Sequence, residues 1–486
     1  MISLTLAEIA SIVGGRLHAT DGSPVVTGSV EFDSRRLTPD GLFLALPGEK
    51  VDGHTFAAQA VQAGATGVLA AREVGAPSII VPPLPPGQAN ERAFALAGDR
   101  DGSGAAVLAA LGKLARHVVT VLSRGQLTVV GVTGSSGKTS TKDLIAQLLE
   151  QLGPTVAPPG SFNNELGHPW TALRADETTR HLVLEMSARG PGHVAELATI
   201  APPRIGVVLN VGSAHVGEFG SREGIAKAKG ELVEALPADG LAVLNYDDPL
   251  VAAMASRTKA RIVGVGEHPE AHVRAEDITL DEHARASFRL VTAHGAAPVT
   301  LPLYGEHHVG NALAAAAVAL ELGSSVEDVA DRLSQVERRS ARRMEVTTRA
   351  DGVTFLNDSY NANPESVRAA LKTLASASRG RRSWAVLGVM AELGADSVSA
   401  HDEIGRLAVR LNIDKLVVVG EQAAAMHQGA SHEGSWGEES VLVADTDAAV
   451  ELLREQLSPG DVVLVKASKV AELWRVADAL LEDGVA

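Results

Sequence analysis

The chain has 486 residues and a formal net charge of −16, with 45% hydrophobic but only 3% aromatic residues. That length predicts about three domains, and the acidic balance argues against a general binder of nucleic acid or membrane surfaces. Cysteine is absent, which excludes disulfides and cysteine-ligated metals. The opening MISLTLAEIASIVGG lacks the basic start of a signal peptide, and no uninterrupted apolar run is long enough to span a bilayer. A cytoplasmic protein without membrane insertion is the expectation.

In chain order, GLFLAL reads as a strand, HTFAAQAVQAG as a helix with a glycine stop, and TGVLAA as a further strand. The Pro- and Gly-rich stretch at about 82–104 resembles an exposed loop or insertion. VLAALGKLARHVVTVL is then a helix, and a first boundary falls near Leu127. Beyond it, LTVVGV, HLVLEM and RIGVVLNV are buried strands alternating with helical patterns such as TSTKDLIAQLLEQLG. That alternation predicts a mostly parallel sheet. NALAAAAVALELG closes this unit, and SVEDVADRLSQV leads into a third α/β block. The block has candidate strands at WAVLGV, KLVVVG, SVLVAD and DVVLVK. The fold class is therefore α/β in three domains, 1–126, 127–337 and 338–486.

GVTGSSGKTS at 131–140 lies between a strand and a helix, where backbone N–H groups and the helix dipole favour an anion. Gly131, Gly134 and Gly137 would allow close backbone approach, with Thr133, Ser135, Ser136 and Ser140 completing the loop. Lys138 would reach the β- and γ-phosphates of a nucleotide, and the Thr139 hydroxyl would touch magnesium. The usual spacing would put glycine at 132, where this chain has Val132. A glycine turn with an incidental lysine is the bland alternative.

Glu185 ends the run HLVLE, a strand-end position from which a carboxylate can hold magnesium, although such a residue can be an ordinary loop charge. His215 follows another strand, where a lone histidine can be structural. Thr139, Glu185 and His215 all lie beyond strand ends, where ligands of open sheets gather. On a helix, SREGIAKAKGELVEAL places Lys229 among Ile225, Leu232, Val233 and Leu236, with Lys227 and Glu234 opposite. A lysine on an apolar face needs a partner or an altered charge, unless its stem packs and its ammonium reaches water.

GVTGSSGKTS, SFNNELGHP, LEMSARGPGHVAEL, LNVGSAHVGEFGSREGIAKAKGEL and DSYNANP together resemble the Mur ligases of cell-wall synthesis, over nearly the whole chain. The loop with one extra residue is similar to that family's own version. DSYNANP at 358–364 looks like the member that adds D-alanyl-D-alanine.

The resemblance implies an N-terminal uridine-nucleotide domain, a central P-loop ATPase domain and a Rossmann-like C-terminal domain. It implies that ATP, with Mg2+, phosphorylates the terminal carboxylate of a UDP-N-acetylmuramoyl-tripeptide, and that the amine of D-alanyl-D-alanine attacks the acyl phosphate. A monomer is expected. By the same resemblance, Thr139 and Glu185 hold one magnesium, and His215 and Lys229, the latter as a carbamate, hold a second. Lys138, Glu185, His215 and Lys229 are the catalytic set.

Ser34 and Arg35 match residues that meet the uridine part, and Asn163, Asn164 and Asn361 match positions near the substrates. Asn311 matches an adenine-side residue, and Arg343, Asp358 and Tyr360 match positions closing over the nucleotide. The chain departs from the family pattern at His308, Val389 and Ala467. The alternatives are a sibling ligase adding a single amino acid, a folylpolyglutamate synthase or, in another class, a nucleotide-dependent regulatory ATPase.

Overall fold

A computed structural model describes residues 1–48, 51–85, 99–212, 219–435, 437 and 439–482. His215 and most of the 82–104 insertion lie outside them. The first sheet has five strands in the order Arg16–His18, Ser78–Ile80, Ala65–Ala70, Gly41–Leu44, Val30–Glu31. Behind it runs the helix Ser103–Ser123, whose length and apolar composition would suit a membrane span. Here Leu111, Leu114 and Val118 of that helix share one core with Leu6 and Ile9 on one side and Val129, Leu182 and Leu184 on the other. Each such burial is worth ~1.5–3 kcal/mol. Leu127 belongs to the same core, so the first junction is a packed seam.

The central sheet grows around β1 (Thr128–Thr133), which feeds through the glycine loop into helix α1 (Lys138–Leu149). Next come β2 (His181–Glu185), α2 (His193–Ile200), β3 (Ile205–Val208) and α3 (Arg222–Glu234). β1 lies between β2 and β3 and is parallel to both. The chain builds β2 on one side of β1 and then crosses to β3 on the other. The loop after β1 therefore opens at the switch point of the sheet, where ligands bind in such folds.

Nine strands are present in this sheet, and the expectation of a mostly parallel arrangement holds for seven of them. The strands Arg285–Thr292 and Gly295–Tyr304 add antiparallel hairpins at one edge, which were not anticipated. Helix α4 (His308–Glu321) packs on α1 and on the sheet, and its run of buried alanines permits that close approach. The core extends through the helix Val326–Leu333 to Val336.

Among the described residues the third sheet has six strands, antiparallel only at its first pair. Thr354–Asn357 leads into helix α5 (Pro364–Ala377) and lies beside β4 (Val462–Lys466), so the ends of the two strands meet. Between this domain and the central one, the linker is held along one face of α1. Gln147 donates to the Glu337 carbonyl (2.9 Å) and accepts the Glu337 N–H (2.8 Å). Ser340 Oγ donates to Asp143 (2.6 Å), and Arg339 pairs with Glu150 through both terminal nitrogens. Positions 143, 147 and 150 face one way on a helix.

Gln147→Ala should deprive both Glu337 backbone groups of their partners. The exchange of the Glu337 amide proton should then accelerate by about tenfold, with little change in melting temperature. Unaltered exchange would show that the linker is not held by this contact.

Candidate active site

The phosphate loop is held open by a residue that sequence reading passed over. Asn210, two residues beyond β3, accepts the N–H groups of Ser135 (2.9 Å) and Ser136 (3.0 Å), and its own Nδ2 donates to the Ser136 carbonyl (3.2 Å). Gly137 has φ +81°, and a Cβ there would lie 2.6 Å from Asn311 Oδ1. Glycine is needed at 137 on both counts. The first N–H groups of α1 follow directly, unpaired within the helix and carrying its positive dipole end, which together suit an anion.

Two loop assignments change. Gly131 lies inside β1, where a side chain would strike Met186 and Leu232, so it serves packing between layers. The Thr133 hydroxyl is fully buried and donates to the Met186 carbonyl (2.8 Å), tying β1 to the chain leaving β2.

Lys138 turns its ammonium back onto the Gly134 carbonyl (2.8 Å). Burial lowers its pKa to about 8, against the favourable field of Glu185 and with an added push from Arg343. Glu185, the last residue of β2, is fully buried. Its Oε2 accepts from Asn163 Nδ2 (3.2 Å) and Ser161 Oγ (3.3 Å), while Oε1 has no partner among the described residues. A buried carboxylate left in this state is costly unless a cation meets it.

Lys229 is 4% exposed on the inner face of α3 with Ile225, Leu232 and Val233, whereas Lys227 is exposed. Burial holds Lys229 well below the ordinary lysine range, and the charge of Lys138 adds to the effect.

The C-terminal domain reaches this site. Arg343 Nη2 donates to Thr139 Oγ1 (3.1 Å), and its guanidinium lies 4.1 Å from the ring centre of Tyr360. Asp358 accepts the Met344 N–H (3.0 Å) and pairs with Lys466 at the end of β4 (2.6 Å). Lys466 also donates to the Asn361 carbonyl (2.9 Å), while the Asn361 side chain is exposed. Asn363, which caps α5, extends Nδ2 to the Ser135 carbonyl (3.4 Å).

Beyond Ser140 lies a cavity of about 280 Å³, lined among others by Tyr304, His308, Arg338, Arg343 and Met344. Asn311 is buried beneath the loop, accepting from Thr141 Oγ1 (3.2 Å). Asn164 uses its side-chain oxygen locally, accepting the Gly167 N–H (2.9 Å), so of the asparagine pair only Asn163 meets Glu185. Ser34 and Arg35 form a short turn in which Arg35 is largely exposed and pairs with Asp33. The adjoining Phe32 and the Phe162 of the asparagine loop both pack on Trp170, which places that turn near the loop.

The description "Mur ligase middle domain" matches residues 132–319, "Mur ligase, glutamate ligase domain" matches 342–469, and "Mur ligase family, catalytic domain" matches 27–114. The UDP-N-acetylmuramoyl-tripeptide–D-alanyl-D-alanine ligase of Mycobacterium leprae (strain TN) is 56% identical, covering 100% of this chain and 99% of its own. The chain belongs to the Mur ligase family. A crystal structure of MurF from Acinetobacter baumannii superposes with a TM-score of 0.83 at 30% identity, covering 99% of both chains. The MurF ligase of Thermotoga maritima in complex with ADP gives 0.75 at 28% identity, covering 94% of this chain and 98% of that one.

In this Mur ligase two polar residues that sequence reading left unassigned, Asn210 and Lys466, stand at or just past strand ends. The strand-end rule that singled out Glu185 would have found both. RIGVVLNV and DVVLVK read as strands, a reading that gives no role to the asparagine or the lysine near their ends.

Lys138 also carries a testable proton balance. Above pH 8 its amine is neutral in the free protein, and a bound diphosphate would raise its pKa. ADP binding at about pH 9 should therefore take up a proton, while binding at pH 7 should not. Calorimetry in two buffers of different ionisation enthalpy reads this directly. An uptake that persists in Lys138→Ala would assign the proton elsewhere.

Proposed function

We infer that the chain is an ATP-dependent ligase that adds D-alanyl-D-alanine to UDP-N-acetylmuramoyl-tripeptide through an acyl phosphate. The products are the pentapeptide precursor, ADP and phosphate. The observation that carries this reading is the contact from Arg343 to Thr139, made by a guanidinium stacked on Tyr360 of DSYNANP. It brings the domain bearing DSYNANP onto the phosphate loop, as a ligase of two substrates needs and a simple nucleotide switch does not.

A carboxylate is a poor electrophile, and its conversion to a mixed anhydride supplies a leaving group. Both reactants in that first step are anions, so the site must offset their repulsion. The N–H groups at the start of α1 cradle the phosphates, Lys138 swings from Gly134 onto the transferring group, and Arg343 covers it from the opposite domain. The cavity beyond Ser140, lined by His308 and Tyr304, takes the base and ribose. Asn163 stays beside Glu185 and orients the carboxylate to be activated. Ser34 and Arg35 face the uridine part, and Asp358 and Lys466 fix the loop of Tyr360 and Asn361 for the incoming amine.

The unpartnered Oε1 of Glu185 fits a divalent cation. Thr139 and Glu185 would hold one magnesium, and His215 with a carbamate of Lys229 a second, neutralising charge that develops on the phosphoryl group. Burial holds Lys229 well below the ordinary lysine range and so favours the neutral amine, the form that reacts with carbon dioxide: an N–C bond forms and a proton leaves. We divide the chain at Leu127 and Arg338, and assign it to the cytoplasm as a monomer.

ADP release should require both the UDP-tripeptide and D-alanyl-D-alanine, and Lys138→Ala should lower turnover by about 10³-fold or more. Rapid ATP hydrolysis without the amine, or equal turnover with free alanine, would refute the assignment.

Lys229→Ala should lose most activity and recover part of it with a small carboxylic acid, while Lys227→Ala stays within about twofold of wild type. Near wild-type turnover of Lys229→Ala would remove the carbamate from the scheme.

A further inference from the structure

The segment SARGPGH between β2 and α2 is fixed at three points. Ser187 N–H donates to the Asn163 carbonyl (3.1 Å), and Arg189 N–H donates to His193 Nδ1 (3.2 Å). Gly192 N–H donates to Glu231 on α3 (2.7 Å). Ala188 is buried in the core below. Arg189 is thus displayed from a held backbone, four residues past Glu185, at the end of the sheet where the site lies.

Its side chain is half-buried, and among the described residues no carboxylate or other acceptor meets the guanidinium. Glu165 is buried nearby but faces His193 instead, at 3.6 Å. Several comparably sheltered arginines are paired with carboxylates, Arg257 with Glu234, Arg349 with Asp351 and Arg406 with Asp402, and Arg381 donates to Thr354 and the Ala377 carbonyl. A sheltered cation without a counter-ion is unusual in a chain of net charge −16. The planar fork of a guanidinium suits a carboxylate held by two parallel hydrogen bonds, which a lysine cannot reproduce.

We propose that Arg189 binds a substrate carboxylate that does not react, and so sets specificity for one of the two peptidic substrates. The inference rests on the ligase reading above. Two sources share this chemistry: the C-terminal carboxylate of the dipeptide, and a carboxylate of the UDP-tripeptide other than the activated one.

The test is steady-state ligation by the full chain with ATP, the UDP-tripeptide, and either D-alanyl-D-alanine or its C-terminal amide. Ligation by the wild type in this assay tests the ligase reading separately. Arg189→Met should raise the KM of one peptidic substrate about 10- to 100-fold, with kcat within about threefold and melting unchanged. Arg189→Lys should recover only a small part, and it remains informative should the methionine variant fold poorly.

If the dipeptide is the source, its KM rises, and the variant no longer distinguishes dipeptide from amide. If the UDP-tripeptide is the source, its KM rises and discrimination against the amide is retained. A change below about twofold in both KM values, in the methionine and lysine variants alike, would overturn the proposal.

Discussion

Everything at the site depends on one guanidinium being in two places at once. Arg343 lies flat against Tyr360 of its own domain and donates to Thr139 of the phosphate loop. A cation over an aromatic face is stabilised by ~0.5–2 kcal/mol, more when water is excluded. The stacking therefore orients the fork before any nucleotide arrives. Asn363 of the same domain also reaches the loop, at the Ser135 carbonyl, but through a neutral amide. Tyr360 is held in turn by Lys466, which bonds Asp358 and the Asn361 carbonyl on either side of it.

The same site concentrates cations that repel each other. Arg343 acts on Lys138, and Lys138 in turn on Lys229, while Glu185 offsets part of this at Lys138. Two like charges about 4 Å apart cost ~4 kcal/mol at an effective dielectric of 20, more than most single contacts return. The charge most disfavoured is that of the most deeply packed member. Lys229 sits among apolar side chains, where burial disfavours the ammonium and the charge of Lys138 adds to the effect. Lys138 remains charged at pH 7 because Glu185 is close by. The two lysines are set apart by environment alone, since Lys138 keeps the field of Glu185 while Lys229 lies on an apolar helix face.

Much of this was legible in the sequence, and the residues show why. The buried parallel strands are short apolar runs of valine and leucine, and the glycine loop between strand and helix stands out by composition. The inner face of α3 follows from simple helical spacing, and Lys229 and Lys227 lie where that spacing puts them. The hairpins from Val273 to Tyr304 were missed because their strands are only half buried. A register shift between Glu276 and Thr279 breaks the alternation that would mark them. Thr133 and Gly131 were misassigned for a different reason. A motif gives residue types in order but not where the strand ends, and β1 runs on through Thr133. Asn164 illustrates a third limit, since neighbouring asparagines look alike until one closes a turn and the other meets Glu185.

The two junctions of the chain are built from different interactions, and that difference decides where motion can occur. The first is a continuous apolar core from Leu6 through the helix Ser103–Ser123 to Leu184. Separating it would expose several leucine and valine side chains, each costing ~1.5–3 kcal/mol, and nothing in the reaction repays such a sum. The second is a row of polar contacts between α1 and residues 337–340, supplemented by Arg343, Asn363 and a small apolar patch in which Ala284 and Tyr304 join the core of the C-terminal domain. Polar contacts of that kind exchange for water at a net cost of ~0.5–1.5 kcal/mol each. The second junction is therefore the less costly of the two to part. Because that row lies along α1, which begins directly after the glycine loop, the loop and the seating of the C-terminal domain are coupled through one rigid element.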